Sequence, residues 1–176
     1  MRLERWDGAR VRERADDLAA LLTDTVASGA SGASVGFLAP LGHADAVAWW
    51  RERADAARAG HIAVWAAVDP TDRVAGTVGL AFPGKPNSRH RAELVKLMVH
   101  RRARGRGLGR RLLATAEDAA VAGGITLLHL DTETGSPAEE LYRSAGWTAA
   151  GTIPDYAAAP AGGLRPTTLY YKRLPG

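Results

Sequence analysis

The sequence predicts an α+β fold in three layers, a mixed sheet with helices on both faces. Three observations predict it. Short apolar, branched runs suited to buried strands recur at 61–68, 73–82, 94–99 and 125–133. Segments with apolar residues every three to four positions stand before and between them. One such segment separates the last two runs, and a helical connection of that length lets two strands lie parallel. At 176 residues, the chain fits one domain, 1–176, large enough to bury about two-thirds of its unfolded surface.

In chain order, residues 1–6 read as a first strand. A helix follows from Arg10 to Ala27, with Val11, Ala15, Leu18, Leu21, Leu22 and Val26 on one side. Residues 28–38, SGASGASVGFL, are glycine- and serine-rich and read as a loop between helices. Residues 43–59 form a second helix carrying Trp49 and Trp50. The runs 61–68 and 73–82 make a hairpin around the turn residues DPTDR. A polar loop with two prolines, 83–92, leads to the strand of 93–100. After the 125–133 strand, Ser136, Pro137 and Glu139 are a capping-box helix start, and Gly146 is a C-terminal stop. Strands at 147–153 and 167–174 close the chain, separated by an irregular loop, PDYAAAPAGGLRP.

Composition removes several function classes. There is no cysteine, which excludes a disulfide framework, a thiolate metal site and a cysteine nucleophile. His43, His61, His90, His100 and His129 lack metal-ligand spacing, so no metal is expected, and His129 reads as structural. The first residues are charged and carry no secretory apolar core, and no run reaches the length of a membrane span. The expectation is a soluble cytoplasmic protein with no membrane partner.

The chain is organised around residues 93–122, ELVKLMVHRRARGRGLGRRLLATAEDAAVA. A strand gives way to a glycine-punctuated turn, then to a helix with Leu108, Leu112, Leu113, Ala116 and Ala120 on one face. Unpaired N–H groups of a first helical turn, with the helix dipole behind them, make an anion cradle. No Gly-Lys-Ser/Thr closes the turn, so it is not a nucleoside-triphosphate loop, and the glycine spacing is not the dinucleotide fingerprint. Arginines 101, 102, 104, 106, 110 and 111 crowd the turn. A nucleic-acid patch is one reading of such a run, but no base-stacking motif or zinc spacing accompanies it. No nucleic-acid partner is expected, since a phosphorylated small molecule accounts for the charge.

Arg104, Gly107 and Gly109 satisfy the pattern Arg/Gln-x-x-Gly-x-Gly/Ala between an apolar strand and an amphipathic helix. In this the chain resembles the GNAT N-acetyltransferases, whose element order it also follows. SGASVGFL, RAELVKLMV, RARGRGLGRRLL, LLHLDTETGS and the segment from Ile153 to Leu174 resemble in particular the tabtoxin-resistance members of that family. These acetylate a β-lactam toxin on its amine. The resemblance implies a mostly antiparallel sheet whose parallel central pair, 93–100 and 125–131, splays apart to admit the pantetheine arm of acetyl-CoA. It implies that Leu97, Met98 and Val99 meet that arm through the backbone. The pyrophosphate would rest on Arg104, Gly105, Arg106, Gly107, Leu108, Gly109 and Arg110. Many members carry a CoA-contacting asparagine where this chain has Gly135-Ser136, which makes Ser136 the residue at that position.

Direct transfer from a thioester to an amine needs a route for the amine proton, a donor for the oxyanion and a donor for the leaving thiolate. The resemblance puts Glu93 and Asp131 beside the acceptor, Tyr142 at the place of a general acid, and a backbone N–H of Met98 or Val99 at the carbonyl. Taken alone, the same residues are also a solvated strand-end glutamate, a turn aspartate and a packed tyrosine. The expected function is acetyl transfer from acetyl-CoA to the amine of a small molecule such as an amino-acid-like antibiotic or toxin. Another amine (polyamine, aminoglycoside, peptide) and a non-catalytic CoA-binding module are the alternatives. A homodimer is compatible with this class.

Overall fold

The computed structural model describes residues 1–28, 35–159 and 162–175. Of the glycine- and serine-rich loop, residues 29–34 lie outside the described residues. The strands β1 (Arg2–Trp6), β2 (Ile62–Val68), β3 (Val74–Ala81), β4 (Arg91–Val99), β5 (Leu127–Glu133), β6 (Thr148–Ala158) and β7 (Leu164–Arg173) form one seven-stranded sheet. Their order is β1-β2-β3-β4-β5-β7-β6. Every neighbouring pair is antiparallel except β4 and β5. Helices α1 (Gly8–Glu13), α2 (Ala15–Ser28) and α3 (His43–Arg58) cover one face; α4 (Leu108–Ala122) and α5 (Pro137–Ser144) belong to the other.

Alternation along the strands divides the core between those faces. On β2, Ala63, Trp65 and Ala67 join the cluster beneath α4, while Val64, Ala66 and Val68 join the cluster beneath α1–α3. The apolar stripe of α4, read from its sequence period, is the one that is buried: Leu108, Leu112, Leu113, Ala116 and Ala120. It sits close to the sheet because β3 has glycine at 76. A Cβ there would stand 2.7 Å from the Met98 carbonyl oxygen and 2.9 Å from Leu112.

The structure corrects two expectations. The helix of residues 10–27 is broken at Arg14, which leaves helical geometry with φ −98° and ψ 21°. Its guanidinium is turned inward, donating to Asp17 (2.7 Å), to the Asp72 carboxylate (3.2 Å) and to the Asp72 carbonyl (2.5 Å), over the Trp6 ring. The supposed loop of 154–166 is mostly strand. Pro154 does not end β6, because β6 is the sheet edge and absorbs an irregularity between Ile153 and Ala157, with Asp155 at φ 50°, and Pro166 of β7 lies opposite that irregularity, just past Thr167 where the pairing with β5 stops. Elsewhere expectation and structure agree: Ser136 caps α5 with Pro137 following, and Gly146 takes φ 82° just past its end.

The β2–β3 turn is held by one carboxylate. Asp69 accepts from the Thr71 hydroxyl (2.7 Å), the Thr71 N–H (2.8 Å) and the Arg73 N–H (3.1 Å). The Thr71 hydroxyl bond, followed by the Arg73 amide, holds its pKa at about 2. A depressed carboxyl contributes stability above its unfolded value, about 4, and loses it as pH falls toward 2. Asp69→Asn should therefore flatten the dependence of stability on pH between those values, measured by chemical denaturation across that range.

Candidate active site

Three neighbouring features build the site. The first is a gap in the sheet. β4 and β5 pair over only three positions, Arg91↔Leu127, Ala92↔Leu128 and Glu93↔His129. An Arg91 guanidinium nitrogen lies 3.0 Å from His129 Nε2, linking the paired ends and giving His129 a structural place. Beyond Glu93 the strands part, and β5 continues against β7. Main-chain groups alternate between the two edges of a strand. The His100 N–H bonds Ala75 on the β3 side, so the groups of Met98 face β3 and those of Leu97 and Val99 face the gap. Met98 buries its side chain beneath α1–α3.

The second feature is the turn into α4. Gly105 and Gly107 both sit at φ 72°, and Gly107 is the N-cap of α4 with no side-chain cap. Among the described residues, no acceptor inside the protein meets the N–H groups of residues 105–110. Six consecutive donors at a helix N-terminus form a nest for an anion such as a pyrophosphate. Open space surrounds a Cβ built at Gly105 or Gly107, so conformation, not crowding, demands glycine there. Gly109 instead faces Leu141 and Val99, at 3.4 and 3.8 Å from its ideal Cβ, so a methyl group would fit there in ordinary contact and a larger side chain would press on both.

Most of the arginine run is committed within the fold. Arg101 pairs with Asp24, Arg102 donates to the Val74 carbonyl, Arg104 to the Val99 carbonyl (2.8 Å) and Ser28, and Arg110 to Ser144. Arg104 is thus a brace between the strand end and α2. Arg106 and Arg111 make no such contact among the described residues. Ser136 is likewise occupied: its hydroxyl accepts from the Glu139 N–H and lies 3.4 Å from the Thr132 hydroxyl. Pro137 and Ala138, not Ser136, line the cavity.

The third feature is a pair of joined cavities. One, of about 370 Å³, follows Leu97–Val99, residues Ala103–Arg110 and the start of α5. The other, of about 280 Å³, is lined by Glu93, Lys96, Asp131, Tyr156 and Arg165. They meet at Leu97, Ala138 and Tyr142, which line both. Tyr142 is 6% exposed, and packs its ring near Trp147 and Tyr170. Its hydroxyl makes no hydrogen bond among the described residues. Burial, reinforced by Asp131, pushes its pKa well above the usual phenol value, so it is a protonated donor at neutral pH.

A sequence profile of the acetyltransferase (GNAT) family matches residues 34–147. The chain belongs to that family. It is a GNAT N-acetyltransferase. Solved GNAT structures of similar fold include an N-acetyltransferase from Kribbella flavida, 24% identical over 98% of each chain with a TM-score of 0.74. A ribosomal-protein-alanine N-acetyltransferase from Brucella melitensis is 22% identical, covering 99% of this chain and 100% of its own, with a TM-score of 0.75. A phosphinothricin acetyltransferase from Sinorhizobium meliloti, solved with acetyl-CoA, is 18% identical over 98% of this chain and 88% of its own, with a TM-score of 0.75. Likeness at these identities speaks for the fold.

The sequence reading singled out Glu93, Asp131, Tyr142, Leu97, Val99 and the glycine turn, which lie together around the joined cavities. It passed over Lys96, which sits with φ 51° in a β-bulge, where Val78 faces both Lys96 and Leu97. It also passed over Tyr156 and Arg165, which reach the site because β6 and β7 extend past their prolines. Among the described residues no His, Cys, Asp and Glu cluster could hold a metal, and no helix is long and apolar enough to cross a membrane.

The φ requirement at the turn can be tested directly. Gly107→Val should cost about 1–3 kcal/mol of stability, and Gly107→Asn, a residue that tolerates the left-handed region, clearly less. Chemical denaturation of both variants measures the difference.

Proposed function

We propose that this enzyme transfers the acetyl group of acetyl-CoA directly to the amine of a small molecule, with an amino-acid-like antibiotic or toxin as the preferred class. The observation that carries this reading is the junction at Tyr142. A phosphate-binding turn and an open strand edge lie on one side of it, and a carboxylate-lined cavity on the other. The acetyl-CoA complex of the Sinorhizobium meliloti neighbour supports the donor half. On this reading the pantetheine arm occupies the gap, where Leu97 and Val99 offer main-chain partners, and the pyrophosphate occupies the 105–110 nest. Residues 1–176 act as one domain in it.

The roles of the side chains follow from their positions. Glu93 takes the amine proton, directly or through a water, and Asp131 holds the ammonium form as it arrives. The amine nitrogen attacks the thioester carbonyl; the C–N bond forms, the C–S bond breaks and the electron pair leaves on sulfur. The Val99 N–H, which faces the gap, polarises the carbonyl in this reading; the Met98 N–H faces β3 and is not used. Tyr142 donates to the departing sulfur. A thiol titrates near 8.5, below this raised phenol, so Tyr142 stabilises the thiolate by a hydrogen bond and does not surrender its proton outright.

A homodimer would use the β6–β7 end of the sheet, where Ile153, Tyr156, Leu164 and Leu169 are exposed. Cytoplasmic action on an internal metabolite or an incoming toxin is consistent with a free acetyl-CoA supply.

Tyr142→Phe keeps the ring and removes the donor, so turnover should fall on the order of a hundredfold while acetyl-CoA affinity holds. Turnover that stays unchanged, with chemistry rate-limiting, would reduce Tyr142 to a packing residue. In the same assay of free-thiol release, Glu93→Gln should depress kcat and Asp131→Asn should chiefly raise KM for the amine.

A further inference from the structure

Lys96 and Arg165 are the cations that line the acceptor cavity, and the reaction described above makes no use of Lys96. The bulge sets its direction. Thr77 Oγ1 donates to the Lys96 carbonyl at 2.9 Å and pins the bulge, and φ 51° turns the side chain toward α3. There Nζ donates to the Val35 carbonyl at 2.6 Å and lies over the rings of Phe37 (5.6 Å) and Trp49 (5.2 Å). An ammonium has three donors, and only this one hydrogen bond engages it among the described residues. Glu93 and Asp131 are near enough to act on it electrostatically, but neither pairs with it directly. Arg53 of α3 opposes them. Aromatic faces compensate a half-buried cation only in part, so the position favours an anion that arrives from outside.

A second observation gives that anion a context. Between α3 and strands β2–β4 lies a further cavity of about 260 Å³, walled mainly by the apolar side chains of Trp49, Trp50, Ile62, Val64 and Val78, with Arg53 of α3 also on its wall. It shares Glu93, Val95 and Lys96 with the acceptor cavity. A carboxylate and an ammonium therefore stand together at the mouth of an apolar chamber. The ligand complementary to that arrangement carries an amine, a carboxylate and an apolar group on adjacent atoms.

We propose that the acceptor is an amino acid or close analogue with an apolar side group. Lys96 binds its carboxylate, the chamber beneath α3 receives the side group, and the amine is left at Glu93. This rests on the reading of Glu93 as the site of amine acetylation and adds to it a residue and a chamber that determine specificity. Lys96 is a binding residue here and takes no part in proton transfer.

The test is calorimetric titration of the wild type with L-phenylalanine, phenethylamine and L-alanine, with acetyl transfer followed in parallel by free-thiol release. L-phenylalanine should bind at least tenfold more tightly than phenethylamine, which lacks the carboxylate, and than L-alanine, which lacks the side group. Lys96→Met, which keeps an apolar stem between the rings, should abolish the preference for L-phenylalanine over phenethylamine. Ala81→Leu narrows the chamber from its β3 end without touching Lys96 and should erase the preference over L-alanine, so the inference survives a Lys96 variant that does not fold. Equal binding of L-phenylalanine and phenethylamine by the wild type would overturn the inference, as would a folded Lys96→Met protein with an unchanged preference. Selective binding of L-phenylalanine without acetyl transfer upholds Lys96 and the chamber as an amino-acid site but overturns its reading as the acceptor site, and with it the proposed function. Equal transfer to all three amines does the reverse.

Discussion

The parting of β4 from β5 is the constraint on which the site depends. A sheet is stabilised by pairing the main-chain groups of adjacent strands, and unpaired groups inside a protein are costly. Here the pairing stops after Glu93, and β4 continues to Val99 with one edge open. The flanking elements maintain that opening. β5 is held by β7 over its whole length, β4 is held by β3, and Gly109 on α4 withholds a side chain where α5 comes close. The fold thus keeps a slot with directional donors and acceptors that a ligand of extended, amide-bearing shape would complete.

The electrostatics around the slot are divided by element. The glycine turn contributes amide donors and helix dipole, while its arginines mostly brace the fold: Arg101 to α2, Arg102 to β3, Arg104 to the strand end and Arg110 to α5. Positive potential remains at the turn because those side chains stay charged wherever they point. On the acceptor side the signs are mixed, with Glu93 and Asp131 against Lys96 and Arg165. Tyr142 stands between the two regions, dry enough to remain a phenol.

Much of this could be read from the sequence, because it rests on local pattern. The strand–turn–helix at 93–122, the cap at Ser136 and the parallel crossover each follow from neighbouring residues and from periods of two or 3.6. The failures share a physical cause, since each depends on contacts between distant residues. Arg14 breaks a helix because Asp72, in the β2–β3 turn, accepts its guanidinium. Pro154 survives in a strand because β6 lies at the sheet edge, a position that topology decides, and Pro166 because it falls past the β5 pairing and opposite the β6 irregularity. Lys96 looks like a strand residue until the bulge turns it, and the carbonyl and rings that receive it come from residues 35, 37 and 49. Arg104 matched the motif as a residue type, yet its side chain serves the scaffold, tying the end of β4 to α2.

The central claim is that the open edge of β4 and the amides of the α4 turn form a single donor site. Amide hydrogen exchange with and without acetyl-CoA tests it most directly, because the groups at issue are N–H groups with no partner among the described residues. The account predicts new protection at Leu97 and Val99 and across residues 105–110, with Met98, already paired to β3, little changed. Protection confined to other segments, or none at saturating acetyl-CoA, would contradict it.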